Sequence, residues 1–326
     1  MTRRVRLLAL RGVPVALLLH LVVAPVFAQT WPTRPLHLIV GQAPGGHSDV
    51  IARIVAQRFS ELLRQPVVVE NRGGAGGTIG ADAVARAPAD GYTLLFAGSN
   101  NFAIAWATMK DLRYTIRDFV PVGTIARVSY GLAVHPRIPA RTIAEFVAFA
   151  RAHPGQLNYG SSGAASTSNL LFALLCRDAS IDVVHVPYRG SAITLNELVA
   201  GRVDAIFTDL AALVPLERSG QLRIIAVVGA RSNMVPDVRT ATEQGYPNLA
   251  MEPWYGIAAP ADTPRAIVAK LAATLRATLE TPEVRQRFAR SGYVPLETSS
   301  EGLAKLIATE TATFKALVDQ AQPAVQ

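Results

Sequence analysis

Two glycine-broken turns, each opening an amphipathic helix, carry most of the chemistry this chain can do. The first is Gln42-Ala43-Pro44-Gly45-Gly46-His47-Ser48-Asp49, which follows the apolar run from Leu36 to Val40. The second is Gly160-Ser161-Ser162-Gly163-Ala164-Ala165-Ser166-Thr167-Ser168, more than a hundred residues later. Backbone N–H groups at a helix start lack intrahelical partners and sit at the positive end of the helix dipole. They hold anions without a charged side chain. Two such turns in one chain suit a small acid gripped from two sides.

The residues around them have readable roles. Gly45 and Gly46 let backbone approach a ligand closely. Ser48 is expected to cap the first helix, with its hydroxyl free to face a ligand. His47 either adds a donor for a carboxylate or faces solvent, and Pro44 and Asp49 bound the turn. In the second turn Ser161, Ser162, Ser166, Thr167 and Ser168 offer hydroxyl donors, and Gly163 leaves room. Ser99 and Asn100 follow a strand, at the carboxyl end where α/β proteins bind ligands. Tyr188 suits stacking or a hydrogen bond, and Arg189 pairs with a carboxylate or lies on the surface. Asp209 orients a water, takes a ligand hydroxyl or amine, or caps a helix.

Several other chemistries find no support. Gly160-Ser161-Ser162-Gly163 does not have the G-x-S-x-G spacing of a nucleophile elbow. The run from Gly73 to Gly80 invites a dinucleotide reading, but the position needing a third glycine is Ile79. A tight turn facing a cleft, with Gly77 beside the ligand, fits better. Histidines 37, 47, 135, 153 and 185 lack metal-ligand spacing, and the carboxylates are dispersed. No catalytic residue, metal or cofactor is therefore expected. The single cysteine, Cys176, lies on an apolar helix face and reads as a small buried hydrophobe.

The elements that position these turns alternate between strand and helix patterns, which indicates α/β layers. Strands are expected at 36–40, 67–70, 93–97, 130–134, 157–159, 183–186, 203–207, 224–228 and 255–259. The first helix places Val50, Ile51, Ile54, Val55, Phe59, Leu62 and Leu63 on one face. Thr142 and Glu145 have capping-box spacing for a helix to about residue 152. Pro264 and Pro282 each follow a threonine, as first-turn prolines follow a cap. The last helix carries Leu303, Leu306, Ile307, Phe314 and Leu317. No low-complexity linker is visible, so the two α/β lobes should be joined by crossing strands near 124–130 and 252–255.

Residues 1–28 have the form of a secretory signal: a basic start, an apolar stretch, and a small residue, Ala28, before Gln29. The mature chain would then begin at Gln29 and hold 298 of the 326 residues, enough for two domains. The leader carries four arginines and no acids, so half of the formal +8 charge leaves with it. The remaining arginines are scattered, which argues against nucleic acid.

The chain also resembles the substrate-binding receptors of tripartite tricarboxylate transporters, the Bug-type periplasmic receptors. The resemblance runs from Trp31 to about Asp319. It rests on Trp31-Pro32-Thr33-Arg34-Pro35; Pro44-Gly45-Gly46 with Asp49 and Arg53; Val67-Val68-Val69-Glu70-Asn71-Arg72; and Gly74-Ala75-Gly76-Gly77. Asp90-Gly91-Tyr92, His185-Val186-Pro187-Tyr188-Arg189-Gly190-Ser191, Gly201-Arg202-Val203-Asp204 and Trp254-Tyr255-Gly256 follow in order. It implies an α/β, two-lobed periplasmic-binding-protein type II fold with the ligand cleft between lobes. Lobe 1 would comprise 29–128 and 253–326, and lobe 2 residues 129–252. It further implies a monomeric, non-enzymatic receptor in the periplasm that binds a small di- or tricarboxylate or aromatic acid and delivers it to membrane permease subunits. A ligand sensor reporting to a membrane partner, and an organic-acid enzyme, are the competing readings. Two departures bear on the ligand: His47 stands where the family often has glycine, and Thr208-Asp209 reverses the usual order of acid and hydroxyl.

Overall fold

The computed structural model describes residues 31–296 and 299–321. The signal expected over 1–28, and the start at Gln29, lie outside the described residues. From β1 (Leu36–Val40) the chain runs through α1 (His47–Leu63), β2 (Val67–Asn71), α2 (Thr78–Ala85), β3 (Thr93–Gly98) and the short α3 (Ala105–Thr108) to β4 (Phe119–Val128). It continues through β5 (Tyr130–Val134), α4 (Ile143–Ala152), β6 (Asn158–Ser161), α5 (Thr167–Ala179), β7 (Val184–Pro187), α6 (Ser191–Val199), β8 (Ala205–Asp209), α7 (Leu210–Arg218) and β9 (Arg223–Val227). It ends with β10 (Trp254–Pro260), α8 (Arg265–Glu280), α9 (Pro282–Arg290), β11 (Tyr293–Pro295) and α10 (Ser300–Ala321).

These strands form two sheets, ordered β11-β4-β10-β3-β1-β2 and β7-β6-β8-β5-β9. Each sheet with its helices makes one lobe. In the first, β1 pairs in parallel with β2 and β3, and β10 runs antiparallel between β3 and β4. In the second, β6 lies parallel to β7 and β8, while β5 runs antiparallel to β8 and β9. β1 is apolar and buried except at His37, because helices pack on that part of the sheet. The chain leaves the first sheet at Ser129 and returns at Trp254. The two crossings lie side by side: Val128 N–H donates to Pro253 O at 2.9 Å, and Ser129 Oγ donates to Glu252 Oε1 at 3.0 Å.

Several local expectations change. β4 was expected only as a crossing near its end, yet it spans ten residues. It contains Pro121 and Gly123, and the sheet accommodates them with register shifts opposite Tyr255/Gly256 and Ile257/Ala258 of β10. β11, three residues long, has too little pattern to be read. On α1, Val50 and Leu62 are exposed at 41% and 39%, and Ala52 and Ala56 take their places inside. Thr142 caps α4 by accepting Glu145 N–H, but Glu145 accepts Arg141 N–H instead of closing the box. Pro264 precedes the first turn of α8 rather than occupying it, and neither Thr263 nor Thr281 caps with its side chain.

The core of the first lobe gathers Ile39, Leu95, Phe102, Phe119, Trp254, Leu303 and Ile307. One layer of the second packs Ala133, Ile206 and Ile224 against Leu198 and Leu213. The other is aromatic: Phe172, fully buried, stacks on Tyr159 at 4.0 Å between centroids and meets Phe146 and Phe207 edge-on. Phe172→Ala should therefore cost ~3–5 kcal/mol, read as a lower denaturation midpoint by urea titration. A cost under about 1 kcal/mol would show that this layer collapses around the gap.

Candidate functional site

The first turn starts from a helix whose cap has no side chain. Gly46 is the N-cap of α1 at φ −80°, so no hydroxyl or carboxylate satisfies the first-turn N–H groups. Ser48 lies inside the first turn and does not cap, contrary to expectation. Asp49 shapes the turn instead. Its Oδ2 accepts Gly45 N–H at 3.0 Å and Arg53 Nε at 3.0 Å, and its Oδ1 accepts Asn71 Nδ2 at 3.0 Å. Burial works against its charge, but hydrogen bonds from Arg53, Gly45 and Asn71 hold the carboxyl below its ordinary pKa. Asp49 is thus a brace with both oxygens engaged. Asp49→Ala should destabilise the protein by ~1–3 kcal/mol, because it leaves the Gly45 donor without its acceptor and Asn71 Nδ2 with only Gln42 O. Thermal denaturation of the unliganded protein checks this; an unchanged midpoint would assign the brace to Asn71 alone.

The second turn is largely tied to itself. Ser161 Oγ bonds Gly163 and lies 2.7 Å from His185 Nε2. Ser166 caps α5, accepting Asn169 N–H, and its hydroxyl donates to Gly163 O. Ser162 N–H donates to Ser168 Oγ at 3.0 Å. Most of the hydroxyls expected as ligand donors therefore hold the shape of the turn.

Each turn meets the opposite lobe, the first at residues 189–192 and the second at Gly76 and Asn100. Asn100 Oδ1 accepts both Thr167 N–H (3.0 Å) and Thr167 Oγ1 (2.9 Å), so a first-lobe side chain reaches the start of α5. Ala43 N–H points to Arg189 O at 3.4 Å. The glycines are where the lobes touch. A Cβ on Gly46 would come 2.6 Å from Ser191 Oγ, and one on Gly76 only 2.3 Å from Ala165 O. Gly163 faces Gly76 N, and Gly190 faces Ala43. The sequence suggested glycine for close approach to a ligand; the structure uses it for close approach of the opposite lobe. Gly77 packs on Gly41 and Asn101 of its own lobe, leaving the cross-lobe contact to Gly76.

His47 is neither a solvent-facing turn residue nor poised as a charged donor. It is 8% exposed, with Nε2 at 2.5 Å from Tyr255 OH and 3.3 Å from Tyr130 OH, and Nδ1 at 3.3 Å from Ser191 Oγ. Burial pushes its pKa down to about 4, so the ring is neutral at physiological pH. Tyr130 and Ser191 belong to the second lobe, so His47 bridges the two. On the same seam Asp209 caps α7 through Ala211 N–H at 3.0 Å and accepts Tyr293 OH at 3.3 Å, again across the lobes. Burial pushes the Asp209 carboxyl up to about 7 against those two hydrogen bonds. Tyr130 and Tyr293, and Tyr255 beyond its strand and segment, were not singled out from the sequence. The available signal was a tyrosine at the end of an apolar strand, whose hydroxyl needs a partner once buried.

Three expected residues stand apart. Ser99 Oγ accepts Trp254 N–H at 3.0 Å inside the first lobe, beside a partly buried Glu310–Arg127 pair. Tyr188 is half-buried, and its hydroxyl donates to Glu197 at 3.3 Å. Arg189 is exposed and meets the first lobe only through its carbonyl. Pro44 and Gly45 are exposed at the rim. Among the described residues no cluster could hold a metal ion, and no buried polar residue is Lys or Arg. An anion here meets amides and neutral hydroxyls, not a buried cation.

A sequence profile described as the tripartite tricarboxylate transporter family receptor matches residues 51–322. Protein BugT of Bordetella pertussis is 34% identical over 316 residues, covering 96% of both chains. Among solved structures, an R. palustris protein with adipate superimposes with a TM-score of 0.85 at 33% identity, covering 89% of this chain and 98% of that one. MatC from Rhodopseudomonas palustris with bound malate gives 0.85 at 31% identity, covering 88% and 100%. These neighbours share the two-lobed architecture.

Proposed function

Because the chain belongs to the tripartite tricarboxylate transporter receptor family, whose fold is that of solute-binding receptors and not of enzymes, we propose that it captures a small carboxylate between its lobes in the periplasm and delivers it to a membrane permease. We take lobe 1 as 29–128 with 253–326, and lobe 2 as 129–252. Among the described residues no helix is long and apolar enough to cross a membrane. The observation that carries the reading is the uncapped start of α1, which leaves first-turn N–H groups without a side-chain acceptor at a glycine contact between lobes.

One carboxylate group of the ligand sits on the N–H groups of Gly46, His47 and Ser48. Donors of the second turn, Thr167 among them, take its other end when Asn100 yields. Pro44, Gly45, Ser162, Gly163, Tyr188 and Arg189 form the rim. Malate and adipate, bound by two structural neighbours, make dicarboxylates the first candidates. Neutral His47 and the tyrosines contribute shape and hydrogen bonds rather than charge.

A thermal-shift screen with mono-, di- and tricarboxylates and aromatic acids tests the function. An acid at 100 times its dissociation constant stabilises by ~2.7 kcal/mol. The expected result is a shift with at least one acid and none with its amide or methyl ester. Equal shifts with neutral analogues, silence across all acids, or turnover of an acid would overturn the reading.

A further inference from the structure

A groove of about 410 Å³ lies behind the first turn, between α1 and α9. Val50, Arg53, Ile54 and Gln57 line it from α1, and Arg287, Arg290 and Ser291 from the end of α9. Its charge is one-sided: three arginines and no carboxylate line it. Arg53 is half-exposed and already paired to Asp49, and Arg287 bonds Gln57 at 3.2 Å with Glu283 no nearer than 4.0 Å. Arg290 is exposed and has no ion pair among the described residues. Val50, 41% exposed, adds an aliphatic wall.

The groove is wired to the turn. Arg53 Nε holds Asp49 Oδ2, the oxygen that holds Gly45 N–H, and Arg53 Nη2 donates to Asn71 Oδ1 at 3.2 Å. The other wall, α9, leads directly into Tyr293, which touches Asp209 in the second lobe. Both walls therefore end in a contact between lobes.

We infer that the α1–α9 groove receives an acidic segment of the membrane permease, whose carboxylates engage Arg287 and Arg290 and compete with Asp49 for Arg53. Docking loosens the Gly45 turn from the side opposite the ligand and favours release. The inference rests on the reading of this chain as a receptor that docks to a permease. A concave groove with aliphatic and guanidinium walls suits acidic side chains of a peptide better than a plane of lipid headgroups.

The test uses hexaglutamate as probe, with the full mature chain and no cleft ligand, so its outcome is independent of the carboxylate screen. Wild type should bind hexaglutamate in a salt-sensitive way and ignore hexaglutamine. The Arg287→Glu, Arg290→Glu double variant, altered only at exposed positions, should lose about tenfold or more in affinity. Gly46→Val, altered in the cleft, should keep it. On titration the amide resonances of Gly45 and His47 should move in wild type and stay still in the double variant. Absence of binding at millimolar peptide, equal binding by the double variant, or immobile Gly45 and His47 amides in a bound wild type would overturn the proposal. Loss in Gly46→Val with retention in the double variant would place the peptide in the cleft. Arginine-dependent binding to phosphatidylglycerol vesicles with no peptide binding would make a membrane surface the partner.

Discussion

Replacing Gly76 by valine is expected to abolish carboxylate binding while both sheets stay folded. Gly76 sits at φ +68°, and a Cβ there would lie 2.3 Å from the carbonyl oxygen of Ala165 in the other lobe. That oxygen is backbone and cannot rotate away. The left-handed conformation adds a local cost of ~1–2 kcal/mol for a residue with a Cβ. The larger effect falls on closure, since a ligand shifts an open–closed equilibrium only through its extra contacts in the closed form. With the lobes wedged apart those contacts are lost, and affinity for the acid found by the screen should fall by about 100-fold or more, which is ~2.7 kcal/mol. Calorimetry reads the affinity, and small-angle scattering reads the ligand-dependent drop in radius of gyration, which should vanish. Normal affinity in a well-folded variant would show that binding does not need this contact. The Gly46→Val change acts by the same route. Its φ of −80° suits any residue, so the obstacle there is Ser191 Oγ and not backbone strain.

The second large effect concerns pH. Asp209 is raised to about 7 from 3.8, so in the folded state it keeps its proton over a range where the unfolded chain has lost it. Fewer protons bound in the unfolded state means stability falls as pH rises between those values. His47 is lowered to about 4 from 6.5, so the unfolded chain binds a proton that the folded one does not, and stability rises with pH over that range. At ~1.4 kcal/mol per unit the two contributions are about −4 and +3 kcal/mol, and they largely cancel between about pH 4 and 6.5. The other titratable groups on this seam, Tyr130, Tyr255 and Tyr293, are pushed above their ordinary range by burial and stay neutral throughout. Removing one member should unmask the other. Relative to wild type, Asp209→Asn should gain stability from about pH 4 to 7 by up to ~4 kcal/mol, and His47→Gln should lose up to ~3 kcal/mol from about pH 4 to 6.5. Urea titrations at four pH values measure both differences. Variant curves parallel to wild type would mean that neither group is perturbed as its burial implies.

The sequence carried the layers well and the partners of individual residues poorly. Tyr130–Val134 became a strand because burial on both faces demands such an apolar run, and Leu36–Val40 did so with His37 as its one partly exposed polar member. Half of β4 carries Pro121 and Gly123, and its strand pairing rests on bulges at Val122 and Ile125 that form only against β10, a strand far away in sequence. Both helix-opening turns were visible from their glycines and hydroxyls. What those groups bond was not, because most hydroxyls of the second turn bond within it and the remaining partners lie across the lobes. Gly76 meets Ala165, Asn100 meets Thr167, and His47 meets Tyr130 and Ser191. Asp49 looked like a ligand contact because short-range spacing does not reveal that Asn71 and Arg53 already claim its oxygens.

The place of β10 imposes an order of assembly. It is hydrogen-bonded to both β3 and β4, which have no direct ladder with each other, yet it is made only after every strand of the second sheet. During synthesis from the N-terminus, β1, β2 and β3 can pair early while β4 waits without a neighbour. The last strand of the second sheet ends at Val227, and the residues that pair with and pack on it, Thr240 and Val235 among them, are also made before Trp254. The second lobe therefore matures first, inside an unfinished host. Its two ends are held together by hydrogen bonds from Val128 to Pro253 and from Ser129 to Glu252. A chain stopped before Trp254 should retain a foldable second sheet and an open β3 edge prone to aggregate, whereas replacing residues 130–252 by a short turn would let β4 and β10 pair as a plain hairpin.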